Sequence, residues 1–164
     1  MSVLAPPPSQ LGPGFRVEPA ADAVSAARRV ISDLVIEREL PLTDAARRDV
    51  ALLSAEVITN AARHTGAACV VLVLWTGERL RVEVTDTDPE LPTPRGFDPT
   101  VPHGRGLLLV AALAADWGAE PDPAGKRVWF EVGPDSRLDG EERLTALVRV
   151  AAPMAAGFTP KGST

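Results

Sequence analysis

The order of elements in this 164-residue chain predicts an α+β fold: a two-layer α/β sandwich, with helices on one face of a mixed, mostly antiparallel sheet. Three observations carry that expectation. Residues 21–39 and 44–64 repeat their apolar side chains at helical spacing. Two pairs of short alternating runs, 68–75 with 79–85 and 117–120 with 126–132, are each joined by turn residues and so form hairpins. Between the hairpins, residues 105–116 are apolar almost all round, which a helix tolerates only when it is buried.

Taken in order, residues 1–14 are rich in Pro and Gly and are expected to be disordered. The run FRVEP at 15–19 suits a short first strand. The helix over 21–39 would bury Val24, Ala27, Val30, Ile31, Leu34 and Val35, and Pro41 would stop it. Thr43 or Asp44 can cap the second helix, whose core stripe is Ala46, Val50, Leu53, Val57 and Ala61, and Gly66 ends it. The turn Thr76-Gly77-Glu78 closes the first hairpin, and PDPAG closes the second. Residues 87–103 hold five prolines (89, 92, 94, 99 and 102), and a loop of that length is often a functional lid. After Gly133 the composition changes. Residues 139–151 can form an amphipathic helix with Leu144, Leu147, Val148 and Ala151 on one side, followed by a tail. The chain therefore divides into a disordered segment (1–14), one domain (15–133) and a C-terminal extension (134–164).

Composition narrows the function. An apolar fraction of 45% and a charged fraction of 24% suit one globular domain with a real core. The net charge of −5 and the lack of a basic stripe argue against a nucleic-acid binder. The one cysteine, Cys69, lies in an apolar run and has no partner for a disulfide, so it reads as a buried structural thiol. No apolar run reaches the ~18 residues of a membrane span. The N-terminus lacks a basic region followed by an apolar core, so a cytosolic protein is expected. His64 and His103 have no third ligand at zinc spacing, and His64 near a helix end reads as a capping residue. There is no phosphate-loop G-x-x-x-x-G-K-[ST], no H-R-D or D-F-G, and no G-x-S-x-G.

Four features could carry chemistry. Asn60 sits mid-helix, where Asn is a poor helix former, and its amide oxygen can hold magnesium without adding negative charge beside phosphates. Glu56, one turn earlier on the same face, can take a proton from an attacking hydroxyl; the plain alternative is a solvated glutamate. Asp86 ends an apolar strand and can accept from the exocyclic amine of adenine, or simply start a turn. Gly104-Arg105-Gly106 opens the apolar helix, whose free N–H groups and dipole attract phosphate. Arg105 can reach a terminal phosphate or be an ordinary surface arginine. Together these suit a bound magnesium nucleotide.

The segments LLSAEVITNAARHTG, VEVTDTDPELP, HGRGLLLVAALAADWG and GKRVWFEV resemble the GHKL (Bergerat-fold) ATP-binding superfamily over roughly residues 15–133. They are most similar to its stand-alone serine/threonine kinases of the anti-sigma-factor type. The resemblance implies a Bergerat-type sandwich with a Pro-rich ATP lid, ATP and Mg2+ as cofactors, Glu56 as general base and Asn60 as magnesium ligand. It implies Asp86 at the adenine and Gly104 and Gly106 at the phosphates. It further implies an antagonist protein and a sigma factor as partners, and a homodimer. The pattern departs from the superfamily's first glycine box, D-x-G-x-G: Asp88 and Glu90 stand at the glycine positions with Pro89 between them. Two acids there would repel phosphates unless they point away. Two readings follow, a protein kinase or a non-catalytic module whose degenerate nucleotide site gates association with a partner. The ATP-binding part of a histidine kinase fits less well, because the chain has no room for a separate phosphoacceptor helical hairpin.

Overall fold

The computed structural model describes residues 8–92 and 105–151, with backbone only for Arg105 and for 149–151. The elements are β1 (Ser9–Gln10), β2 (Phe15–Val17), α1 (Ala21–Glu37), α2 (Asp44–Thr65), β3 (Cys69–Trp75), β4 (Leu80–Asp86), α3 (Arg105–Leu113), β5 (Asp116–Asp122), β6 (Gly125–Val132) and α4 (Gly140–Ala151). Six strands form one open sheet in the order β1-β3-β4-β6-β5, and β2 also pairs with β3. Every pairing among the described residues is antiparallel. The expected α+β sandwich is therefore observed, with its sheet antiparallel throughout rather than mixed.

Alternation along the strands builds the core. Cys69, Val71 and Val73 of β3, Leu80, Val82 and Val84 of β4, and Val128, Phe130 and Val132 of β6 all bury on the helix side. The central helix α2 presents Ala46, Val50, Leu53, Val57 and Ala61 to them, as its spacing predicted. Its ends follow local chemistry. The Thr43 hydroxyl oxygen accepts from the Ala46 N–H at 3.2 Å, and Gly66 terminates the helix at φ 59, a left-handed conformation that costs glycine nothing. On the opposite face of the sheet Arg81 lies over the Trp129 ring, and Arg81, Glu83, Arg127 and Glu131 form an ion-pair network.

Several expectations are corrected. Residues 9–11, expected to be disordered with the rest of 1–14, pair with β3, and Leu11 is buried. Val30 does not join the α1 core face but is 43% exposed. It lies about 100° round the helix from Ile31, outside the stripe of Ala27, Ile31 and Val35. Helix α1 ends at Glu37, two residues early, as Glu39 takes φ 49. Helix α3 ends at Leu113, and β5 runs longer than expected, from Asp116 to Asp122.

Helix α4 is rotated from its expected orientation: Leu144 and Val148 are 63% and 54% exposed, while Leu147 packs on the core. The reason is Arg143. Its Nη2 stands 2.8 Å from Oδ1 of Asp49, a fully buried carboxylate on α2, close enough for an ion pair although off the line of a well-aligned hydrogen bond. Oδ2 of the same carboxylate accepts from the Ser136 hydroxyl at 2.7 Å. The Thr43 N–H donates to the Pro134 carbonyl, and its hydroxyl donates to Asp135. The segment after Gly133 is thus tied to α2 at both its start and its helix. Most of the proposed lid (93–103), the tail beyond 151, His103 and Gly104 lie outside the described residues.

Candidate functional site

One end of the sheet gathers the chemistry. Asp86 ends β4, Lys126 is the second residue of β6, and the two stand directly opposite in the β4–β6 register, both on the helix side. Asp86 is 2% exposed and Lys126 is 5% exposed. The Lys126 ammonium donates to Oδ1 of Asp86 at 3.0 Å, and the Asp88 N–H donates to the same oxygen at 2.9 Å. Gly125 permits this junction: a Cβ there would overlap backbone atoms of Asp86 and Thr87. Val57, Asn60, Ala61 and His64 of α2 and Leu107 of α3 complete a cavity of about 50 Å³ with Asp86, Lys126, Val84, Val128 and Pro92. That is room for a water or two, so a purine needs the cavity to widen. Another groove, of about 630 Å³, lies elsewhere, at the far end of β4 around Trp75, Arg79 and Arg137. It is larger but lacks the conjunction of acid, amide and helix N-terminus found at the smaller cavity.

The catalytic-looking pair of α2 faces the start of α3. Glu56 and Asn60 are both half-buried. A Cβ built on Gly106 would fall 2.9 Å from Nδ2 of Asn60 and 2.9 Å from Oε2 of Glu56. Glycine lets the first turn of α3 sit that close without displacing either side chain. Burial raises the Glu56 carboxyl above its ordinary range, and the Arg63 guanidinium partly lowers it again. A carboxylate tuned upward is a better proton acceptor than an ordinary surface glutamate.

The acids at the glycine-box positions do not both point into the site. Asp88 turns its carboxylate onto neighbours: Oδ1 accepts the Glu90 N–H at 3.0 Å, and Oδ2 pairs with Lys126 at 3.3 Å. The Glu90 N–H, with smaller contributions from Lys126 and His64, holds the Asp88 carboxyl below its usual range. Cys69 is buried, and desolvation, with the Asp86 charge adding, pushes its thiol up to about 11, so it stays protonated. Among the described residues no cluster of three or more His, Cys, Asp or Glu could hold a metal. An amide oxygen such as that of Asn60 is the hard, uncharged kind of donor that magnesium takes beside phosphates.

Of the sequence-predicted residues, Glu56, Asn60 and Gly106 come together directly, and Asp86 shares the cavity with Asn60. Gly104 and the Arg105 side chain lie outside the described atoms. Lys126 was missed. The signal was present, since Lys126 alternates with Val128, Phe130 and Val132 and so falls on the buried face of its strand. His64, read as a capping residue, also lines the cavity, while the last carbonyls of α2 accept from the Gly66 N–H and the Thr65 hydroxyl.

Residues 17–132 match the family model described as histidine kinase-like ATPase domain. The chain belongs to this family. The matched span runs from the last residue of β2 to the last of β6, so the histidine kinase-like ATPase domain is the sandwich itself, and α4 is an addition to it. The family makes this an ATP-binding domain of GHKL type. No curated protein matches the chain. No helix among the described residues is long and apolar enough to cross a membrane.

Proposed function

We propose that this protein is a serine/threonine protein kinase of the anti-sigma-factor type, which uses ATP to phosphorylate a small antagonist protein. The observation that carries the reading is the contact of Gly106 with Glu56 and Asn60, which sets a helix N-terminus against a carboxylate and an amide. Adenine would enter the cavity and donate its exocyclic amine to Asp86. The phosphates would lie at the N-terminus of α3, where unpaired N–H groups and the helix dipole favour negative charge. Magnesium, when bound, would neutralise phosphate charge, with the Asn60 amide oxygen as its protein ligand.

Glu56 would accept the proton of the substrate serine as its oxygen attacks the γ-phosphorus. A new P–O bond forms to the serine, the bond to the β-phosphate bridging oxygen breaks, and ADP leaves with that electron pair. Most of the acceleration would come from positioning and charge neutralisation. By resemblance, the partners would be the antagonist and a sigma factor, and the protein would form a homodimer.

A second reading, a non-catalytic nucleotide-gated binding module, is favoured by Asp88 and Glu90 at the usual glycine positions and by the small cavity. Calorimetric titration of Mg-ATP into the wild type and Asn60→Ala, followed by transfer of labelled γ-phosphate by the wild type and Glu56→Gln, separates the two. The kinase reading expects magnesium-dependent binding that is lost in Asn60→Ala, and transfer that is lost in Glu56→Gln while binding survives. Binding without any transfer to a serine-bearing protein would favour the module.

A further inference from the structure

The function just proposed leaves Lys126 without a role, although it is the one buried cation in the cavity wall among the described residues. Its surroundings are unusually complete. An ammonium has three N–H bonds, and three acceptors surround this one: Asp86 Oδ1 at 3.0 Å, Asp88 Oδ2 at 3.3 Å and the Asp88 carbonyl oxygen at 3.4 Å. Asp86 is loaded unevenly. Both donors that reach it among the described residues, Lys126 Nζ and the Asp88 N–H, go to Oδ1. Among the described residues no donor reaches Oδ2, the oxygen left for a ligand in the cavity that Asp86 lines.

These contacts bear on which base the cavity admits. At the position where adenine offers an amine, guanine offers the O6 carbonyl, an acceptor. A lysine beside an aspartate could serve guanine well, the ammonium donating to O6 and the carboxylate accepting from N1–H. Here the ammonium already meets three of the protein's own oxygens, Asp86 Oδ1 and the Asp88 carbonyl by hydrogen bond and Asp88 Oδ2 as an ion pair, so Asp88 supplies two of the three. A guanine would bring O6 against a carboxylate oxygen with no donor to meet it, and buried unpaired acceptors are costly. Adenine needs only an acceptor, which Oδ2 provides.

We propose that Lys126 is the specificity-determining positioning residue of this site: held by Asp88, it orients Asp86 to accept from adenine and withholds its own N–H donors from guanine. The inference rests on the nucleotide reading above. It also gives Asp88 a purpose. The acid at the first glycine-box position becomes part of the base-reading apparatus, through Lys126, rather than a defect near the phosphates.

The test is calorimetric titration of the magnesium salts of ATP and GTP into the wild type, Asp88→Ala and Lys126→Met, with thermal melting of each to establish folding. The wild type should prefer ATP to GTP by at least about tenfold, the scale on which a hydrogen-bonding site rejects a mismatched polar group. Asp88→Ala, at a partly exposed position, removes the Oδ2 acceptor while the backbone carbonyl stays, so it frees one N–H of the ammonium and should narrow the ATP:GTP ratio at least about fivefold by gaining GTP affinity. Lys126→Met should lose at least about tenfold in ATP affinity. A purely structural role for Lys126 would lower stability without moving the ATP:GTP ratio of Asp88→Ala.

If Lys126→Met does not fold, Asp88→Ala decides alone. A folded Asp88→Ala with the wild-type ratio overturns the proposal, as does a folded Lys126→Met with unchanged ATP affinity. A wild type that binds ATP and GTP alike overturns it too, while leaving the nucleotide site standing. A wild type that binds neither sinks the nucleotide reading and this inference with it.

Discussion

Two buried acids, each paired with a cation from later in the chain, do different work in this molecule. Asp49 on α2 holds Arg143 of α4, and Asp86 at the end of β4 holds Lys126 of β6. Both carboxylates are almost wholly removed from water, at 0% and 2% exposure. Desolvation makes such pairs weak sources of net stability, and removing one partner leaves a buried charge uncompensated. The difference lies in what remains free. Both oxygens of Asp49 are engaged from within, by Arg143 and Ser136, and that pair fastens the C-terminal extension. The described donors to Asp86 crowd onto one oxygen, and the residue borders a cavity shared with Asn60 and His64. One pair is closed and structural. The other leaves one oxygen without a donor among the described residues.

The contrast can be broken most forcefully at Asp49. Asp49→Ala should lower the unfolding free energy by about 3–5 kcal/mol in urea denaturation, because Arg143 loses its buried partner. ATP affinity of the fraction that stays folded should be unchanged, and a parallel loss of affinity would show that the two ends of the molecule are coupled. Asp86→Ala should behave the opposite way. ATP affinity should fall at least about tenfold, or about 1.4 kcal/mol, with a smaller loss of stability, since Lys126 retains Asp88. Equal losses of stability in the two variants would erase the distinction between them.

A subtler change separates fold from chemistry inside the site. Gly106→Ala places a methyl group on the Glu56 carboxylate and the Asn60 amide, both at the ends of side chains that can shift. Its melting temperature should stay within about 4 °C of wild type. Phosphotransfer should fall about tenfold through misplacement of those two groups. The smallest expected effect is on pH dependence. Burial holds the Glu56 carboxyl above its ordinary range and Arg63 opposes this, so activity limited by a general base should rise with pH along a limb set by Glu56. Arg63→Ala removes the lowering influence and should move that limb to higher pH. The linkage sign agrees: a raised carboxyl makes the folded state carry a cost for ionisation, absent below the unfolded value and present above the folded one. A limb that moves to lower pH would show that Arg63 acts in another way.

Much of the scaffold was legible residue by residue. The α2 stripe from Ala46 to Ala61 and the alternation of Val82 and Val84, and of Val128 and Phe130, state their burial directly, because helix turn and strand pleat are local geometry. Glu56 and Asn60 could be placed on one face for the same reason. Val30, Leu144 and Val148 were misplaced, because apolarity marks a residue that can be buried and does not say which flank of a helix the neighbours cover. Helix α4 illustrates this: the demand of Asp49 for Arg143 turns Leu144 and Val148 outward.

The sequence by itself determined most of the elements, the buried faces of α2, β4 and β6, and the residue types able to serve a nucleotide. Only the tertiary structure decided which of these meet. Asp86 and Lys126 lie forty positions apart, and nothing in either neighbourhood says that β4 and β6 pair in the register that opposes them. The contact of Gly106 with Glu56 and Asn60 depends on how α3 packs across α2. Periodicity follows from backbone geometry that repeats within a few residues. Register and helix docking come from the packing of the whole core, where each pairing is stabilised only if all the others form.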